Sequence, residues 1–456
     1  MTGPGERTPS RRFALALAAV PLVAILIADG AVLVHRATRS TTPPSAAAAS
    51  SRPSRSPVDQ AERLAEKARA AALTDLLARR SHAVLHHDKA EWMSTVDPAQ
   101  PRFRRRQQAV FANMRQVPFA SWSYTFVPTA PQLPDTQSRR YGVDSWAPAN
   151  FSLHYRLRGF DRRPTNLRQY PTFVHRATGW FLASFTDFVN EGAKSAYDLW
   201  DFGPVAVVRT PTVLVLGHPD EFALMQSLAS EVAADIPRVT AVWGHGWAQR
   251  AVVLAPDTQR ELGQTVGDFG DLTHIAAVAT AEVNEGSGKP DPVGDRIGIN
   301  PRNWSKLSSL GRQIVLTHEL THVATRSVTS DATPTWLAEG FADYVGYLDR
   351  GVPTTFVAQE LRADVLAGHA PAALPADSQF DGANRKLSQA YEGAWLACRL
   401  IAQKWGQRTL VRFYRAVGRS PNTPAVAVAT ASGPVLHESW STFLVQWRRF
   451  VRAELA

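Results

Sequence analysis

The sequence predicts an α+β protein: an N-terminal membrane-type helix, a small α+β unit, and a larger unit with a mixed sheet and a helical C-terminal part. Three patterns predict it. An almost unbroken apolar run occupies residues 13–34. Helical apolar spacing from residue 58 gives way to period-two alternation by residue 122, and beyond residue 204 short apolar strands precede long amphipathic helices. A chain of 456 residues exceeds what one hydrophobic core usually fills, in line with two folded parts plus non-globular segments.

The apolar run Phe13 to Val34 follows Arg7, Arg11 and Arg12. At ~1.5 Å per residue it just crosses a hydrocarbon core of ~30 Å. It reads as a signal anchor, with residues 1–12 as a short cytoplasmic basic tail and the C-terminal domains outside the cell membrane as part of a single-pass protein. Ala28-Asp29-Gly30 before Ala31 also reads as a small-x-small cleavage site, which would give a secreted chain instead. No cysteine lies near the run, which excludes a lipoprotein anchor. Residues 35–57, rich in Ser, Thr, Pro and Ala, read as a disordered linker.

Hydrophobic residues make up 45% of the chain and charged residues 20%, and the net charge of +10 comes from arginines spread along its length. There is no basic stripe interleaved with aromatics and no nucleic-acid motif, so no nucleic-acid partner is expected. The membrane is expected as a partner only through the N-terminal helix. Cys398 is the single cysteine, so no intramolecular disulfide can form; its apolar, helix-like surroundings predict a buried core thiol.

In residues 58–190, Leu64, Ala68, Ala71, Ala72, Leu76, Val84 and Leu85 fall at helical spacing, and a short helix is expected at Gln107 to Met114. The arginine cluster Arg102 to Arg106 reads as a solvated turn, and His82, His86 and His87 as solvated helix histidines. Period-two strands follow at Trp122, Tyr124 and Phe126, then at Phe151, Leu153, Tyr155 and Leu157. A hairpin, Phe173 to His175 and Trp180 to Phe185, turns at Thr178-Gly179. This order, with His87-Asp88-Lys89-Ala90-Glu91-Trp92-Met93 leading into Val96-Asp97-Pro98, resembles the nuclear-transport-factor-2-like superfamily. The resemblance implies a cone-shaped α+β domain over 58–190 and no particular function, since the superfamily holds both enzymes and structural modules.

From residue 204 onward, Val205 to Val208, Thr212 to Leu216, Ala251 to Leu254 and Gly294 to Asn300 read as strands, and Asp220 to Ile236 as an amphipathic helix. A helix beginning near Lys306 then carries Thr317-His318-Glu319-Leu320-Thr321-His322, the pattern H-E-x-x-H. Four residues make just over one turn, so both imidazoles project from one face and can reach one Zn²⁺ at ~2.0–2.1 Å. Glu319 stands ~100° round the helix from His318, beside the metal rather than aimed at it, where a base for water belongs. A third ligand is required. Downstream, Thr335-Trp336-Leu337-Ala338-Glu339-Gly340-Phe341-Ala342-Asp343-Tyr344 places Glu339 17 positions after His322, with Asp343 one helical turn further on.

H-E-x-x-H followed by W-L-x-E-G-F-A-x-Y resembles the gluzincin zinc metallopeptidases, over residues 204–420 and most sharply across the two helices. The resemblance implies a zinc metallopeptidase domain over 204–456 acting on a peptide or protein substrate. It implies His318, His322 and Glu339 as zinc ligands, Glu319 as catalytic base, and Asp343 as the carboxylate that orients His318. Three protein ligands leave one position for water, whose pKa the metal lowers toward ~7; Glu319 takes its proton and later delivers it to the leaving amine. Tyr391, at the start of a further helix, is the candidate oxyanion donor, with Tyr344 and Tyr347 as competitors. The spacing between His322 and Glu339 is slightly shorter than in the zinc aminopeptidases. Their Gly-Ala-Met-Glu-Asn signature is absent, so capture of a free amino terminus is not implied. The strand Ile297 to Ile299 is expected to pair with an extended substrate at the sheet edge, and the helices after Tyr391 to close the back of the domain. The alternative is an extracytoplasmic binding or scaffold protein with a catalytically silent peptidase-like domain.

Overall fold

The computed structural model describes residues 57–127, 133, 135–267, 272–284 and 291–456. The apolar run 13–34 and nearly all of the linker 35–57 lie outside the described residues. Among those described, no helix is long and apolar enough to cross a membrane.

The N-terminal part begins with α1 (Pro57–His86), which ends where His87 takes a left-handed φ of 56°. The Asp88 carboxylate then caps α2 (Lys89–Ser94), accepting from the Glu91 N–H at 2.9 Å. α3 (Pro101–Asn113) starts on Pro101, a residue whose fixed φ suits the first helical position. Arg102 to Arg106 therefore form the first turns of a helix, not the expected solvated turn. Arg104 is half-buried and donates to the carbonyls of Met93 at 3.3 Å and Val96 at 2.9 Å. His82 and His86 are exposed, as expected, with rings stacked 3.9 Å apart and His82 paired to Glu91.

There follow β1 (Phe119–Val127), α4 (Asp135–Tyr141), β2 (Ser145–Trp146), β3 (Asn150–Leu157), β4 (Thr165–Arg168), β5 (Thr172–Arg176) and β6 (Gly179–Ser184). They form two antiparallel sheets, ordered β1-β3-β4 and β2-β5-β6. Phe151, Leu153, Tyr155 and Leu157 of β3 face inward at every second position, the alternation seen in the sequence.

The second part opens with β7 (Ala206–Arg209), β8 (Val213–Gly217), α5 (Phe222–Trp243), β9 (Ala251–Ala255), α6 (Gln259–Val266), β10 (Ala277–Asn284) and β11 (Asp291–Ile299). Its sheet has the order β10-β11-β9-β8-β7. β8, β9 and β11 are parallel and the two outer strands antiparallel, the mixed sheet expected. Every residue of β8 and β9 is buried because both faces are covered. Met225, Leu228, Val232 and Val239 of α5 pack on one face. On the other, Leu214, Leu216, Val252 and Leu254 join Trp122, Tyr155 and Trp200 in one cluster, so the two parts share a core. Arg296 of β11 adds a buried bidentate pair with Asp161, Nη1 to Oδ1 at 2.8 Å and Nη2 to Oδ2 at 2.9 Å.

One expectation fails here. Ile297 to Ile299 is not an edge: Ile297 and Gly298 pair with β9 on one side, while all three residues pair with β10 on the other. β10, not read as a strand from sequence, is the outer strand on that side, so the edge there belongs to it.

The helical portion comprises α7 (Pro301–Trp304), α8 (Ser309–Thr325), α9 (Thr335–Tyr347), α10 (Thr354–Val357), α11 (Gln359–Leu366), α12 (Leu387–Trp405), α13 (Gln407–Gly418), α14 (Pro424–Leu436) and α15 (Trp440–Leu455). α8 begins at Ser309 rather than near Lys306, because the Ser308 hydroxyl caps it by accepting from the Gly311 N–H at 3.1 Å. Cys398 is fully buried in α12 as a free thiol.

Candidate metal centre

His318 and His322 stand one turn apart on α8 with their Nε2 atoms 2.9 Å apart. The opposing carboxylate comes from α9. Trp336, Leu337, Phe341 and Ala342 of that helix are buried, which fixes its rotation. Trp336 stacks on Trp440 at 5.8 Å, and Phe341 meets Trp243 and Tyr414 at 5.6 and 5.1 Å. Gly340 permits the approach to α12: a Cβ there would sit against the Ala394 carbonyl oxygen. With α9 so held, Glu339 Oε2 lies 3.2 Å from His318 Nε2 and Oε1 3.4 Å from His322 Nε2.

All three donor atoms fall within 4.8 Å of one another. His318 and Glu339 are buried at 0% and 1% exposure, and only the His322 side chain, at 12%, reaches toward solvent. Beyond His318, Glu339 Oε2 has no hydrogen-bond partner among the described residues. An otherwise orphaned, buried carboxylate oxygen between two imidazole nitrogens fits a cation, and two N donors with one O donor is a set zinc takes. Burial alone would raise the Glu339 carboxyl, but His322 and His318 hold it far below the usual carboxylate range. Burial alone would likewise lower His318, yet Asp343 and Glu339 raise it well above an ordinary histidine.

Asp343 also reaches the site: its Oδ1 lies 2.9 Å from His318 Nδ1. Glu319 is buried at 2% exposure. Burial pushes its carboxyl up, His318 and His322 oppose this, and a backbone hydrogen bond with Ala279 of β10 opposes it further. The helix thus sets the glutamate beside the histidine face and against the outer strand. Tyr391 is buried near the start of α12, its ring 5.2 Å from Phe380, and lines one cavity with Asp343 and Tyr347. Tyr344 instead donates to Gln407 Oε1 at 3.2 Å.

Three supporting residues escaped the sequence reading. Arg326 locks the end of α8 to the sheet, donating to Asp295 Oδ1 at 3.2 Å and to the Ala279 carbonyl at 2.9 Å. Arg350 ties three helices together behind the site, reaching Gln313 and Thr317 of α8, Asp235 of α5 and the Gly346 carbonyl of α9. Glu392 accepts from the Leu361 N–H at 2.6 Å, and burial followed by the neighbouring Glu360 pushes its carboxyl up to about 10. Apart from Arg350 to Gly346, each contact spans a sequence separation that no local pattern encodes. A second group, His218, Asp257 and Glu261, also brings three donor atoms together, but two of its side chains, His218 and Glu261, already pair with each other. His218 Nδ1 lies 2.9 Å from the Pro204 carbonyl and Nε2 2.5 Å from Glu261 Oε1, while Glu261 Oε2 accepts from the Asp257 N–H.

No protein-family model matches the chain, and no curated protein does. Solved structures similar to it include two of a glutamate-to-alanine variant of the M1 zinc metallopeptidase of Deinococcus radiodurans. The one bound to a Tyr-Ser-Ala substrate is 15% identical with a TM-score of 0.31, covering 55% of this chain and 52% of that one. The other is 15% identical with a TM-score of 0.29, covering 55% and 51%. A two-domain M1 zinc metallopeptidase variant bound to L-arginine is 15% identical with a TM-score of 0.29, covering 56% and 52%. The chain spans about half the length of the structures it matches.

Proposed function

We propose that residues 204–456 form a gluzincin-type zinc peptidase domain that hydrolyses peptide bonds. The observation that carries this reading is the convergence of both Glu339 oxygens on the two histidine Nε2 atoms, with Oε2 buried and otherwise unpartnered. His318, His322 and Glu339 would hold zinc, which would supply Lewis acidity toward the scissile carbonyl and water. Glu319 takes the water's proton and passes it to the leaving amine. Asp343 holds His318 in the tautomer that presents Nε2. Tyr391 is the proposed oxyanion donor, and the outer strand β10, whose backbone reaches Glu319, offers the edge along which an extended peptide lies.

The apolar run 13–34 supports a membrane anchor that places both folded parts outside the cytoplasm, or a secreted chain if it is cleaved. For 58–190, the order of helices before antiparallel sheets supports the nuclear-transport-factor-2-like reading. The test is cleavage of a peptide library by the zinc-loaded chain beside its Glu319→Gln variant. The variant is expected to keep zinc and lose about 10³-fold in rate. Equal cleavage by both, or none by the wild type, would contradict the proposal and favour a silent scaffold.

A further inference from the structure

The buried Arg80 forms no ion pair with a carboxylate among the described residues. It is 2% exposed, and its Nη atoms donate to the neutral oxygens of Thr95 at 3.0 Å and Gln107 at 2.6 Å. One face of its guanidinium lies on the Trp92 ring, 3.5 Å from the centroid. Its Nε has no hydrogen-bond partner among the described residues. A charge held this way is costly unless an anion completes it; burial lowers the Arg80 pKa, with the nearby Tyr124 hydroxyl opposing that effect.

A second orphan shares the same space. Gln169 Oε1 is buried with no hydrogen-bond partner among the described residues, and Gln169 and Arg80 line one cavity of about 240 Å³. That exceeds the ~150 Å³ that admits benzene. Trp92, Trp122 and Trp200 supply flat apolar wall. Tyr124, also on the wall, accepts from Trp122 Nε1 at 2.8 Å, which leaves its own hydroxyl proton to give. Exposed Arg102 and Arg106 add positive charge, while Arg140 is paired with Asp187 at 3.2 Å. The one carboxylate on the wall, Asp201, accepts from the Asp198 N–H, and burial raises it to about 7.

We infer that this cavity binds a small aromatic monocarboxylate carrying a second, hydrogen-donating group. The carboxylate completes Arg80, the ring packs on the indoles, and the donor satisfies Gln169. An inorganic anion would meet the charge and leave the indole walls without a partner. A neutral ring would fill the walls and leave the cation uncompensated.

The test is calorimetric titration of the full-length chain with 3- and 4-hydroxybenzoate, 4-hydroxybenzamide and inorganic phosphate. One hydroxybenzoate is expected to bind one per chain with a Kd on the order of 0.1 mM. The benzamide is expected to bind at least about tenfold more weakly. Arg80→Met is expected to abolish carboxylate binding. Because it also removes the Thr95 and Gln107 contacts, Gln169→Glu provides a second arm, setting like charge against the ligand and weakening it about tenfold. No saturable binding of either hydroxybenzoate up to ~10 mM, equal binding of the benzamide, phosphate binding in their place, or affinity unchanged in Gln169→Glu would overturn the inference.

Discussion

Asp343 Oδ1 lies 2.9 Å from His318 Nδ1 across the contact between α8 and α9. A carboxylate only accepts, so the proton on Nδ1 is fixed and Nε2 turns toward Glu339. Asp343→Ala is expected to weaken zinc binding about 10- to 100-fold, measured by competition with a chelating dye. Circular dichroism should show the fold intact. Unchanged affinity would mean that packing alone orients the imidazole.

Gly340 sets the distance between α9 and α12. A Cβ there would fall 2.3 Å from the Ala394 carbonyl oxygen, backbone that cannot rotate away. Gly340→Ala is expected to destabilise the protein by about 1–3 kcal/mol and, by displacing Glu339, to weaken zinc binding as well. Urea unfolding reads the first and dye competition the second.

The shared core also has an electrostatic lock. Asp161→Ala leaves the buried Arg296 guanidinium without its bidentate partner, 135 positions away in sequence. The expected cost is about 3–5 kcal/mol, seen as a lower urea midpoint. A change below ~1 kcal/mol would show that the pair is solvated like a surface ion pair.

His218 gives the fold a pH dependence. The Glu261 hydrogen bond raises it to about 9, against the opposing effect of burial and with help from the Pro204 carbonyl. The folded pKa lies above the unfolded value of ~6.5. Its contribution is therefore complete below ~6.5 and lost as pH rises through about 9. His218→Gln is expected to remove on the order of 2 kcal/mol at pH 6 and much less at pH 10, read from unfolding free energies at the two pH values. An equal loss at both would assign the residue to packing alone.

What could be read from sequence was local. The i, i+4 spacing of His318 and His322 is helix geometry, legible before any fold was known, whereas the roles expected of Glu339 and Asp343 came from the resemblance of the stretch around them to a known family. The alternation of β3 was legible in the same way as the histidine spacing. Strand order was not: Ile297 to Ile299 is as apolar as an edge or a central strand could be, and only pairing with β9 and β10 decides between them. β10 hid because its run Ala277–Asn284 is weakly apolar. Arg104 was misplaced because four arginines within five residues suggest solvent, while the carbonyls that draw it inward come from another segment. The Arg80 cavity and the Arg326 and Arg350 braces depend on residues that meet only after folding.

The most direct measurement is metal content, by elemental analysis, of the purified chain beside His318→Ala and Glu339→Ala. The account predicts about one zinc per chain in the wild type, lost from both variants. A folded wild type that holds no zinc after incubation with it, or variants that keep it, would contradict the assignment of these residues to a metal.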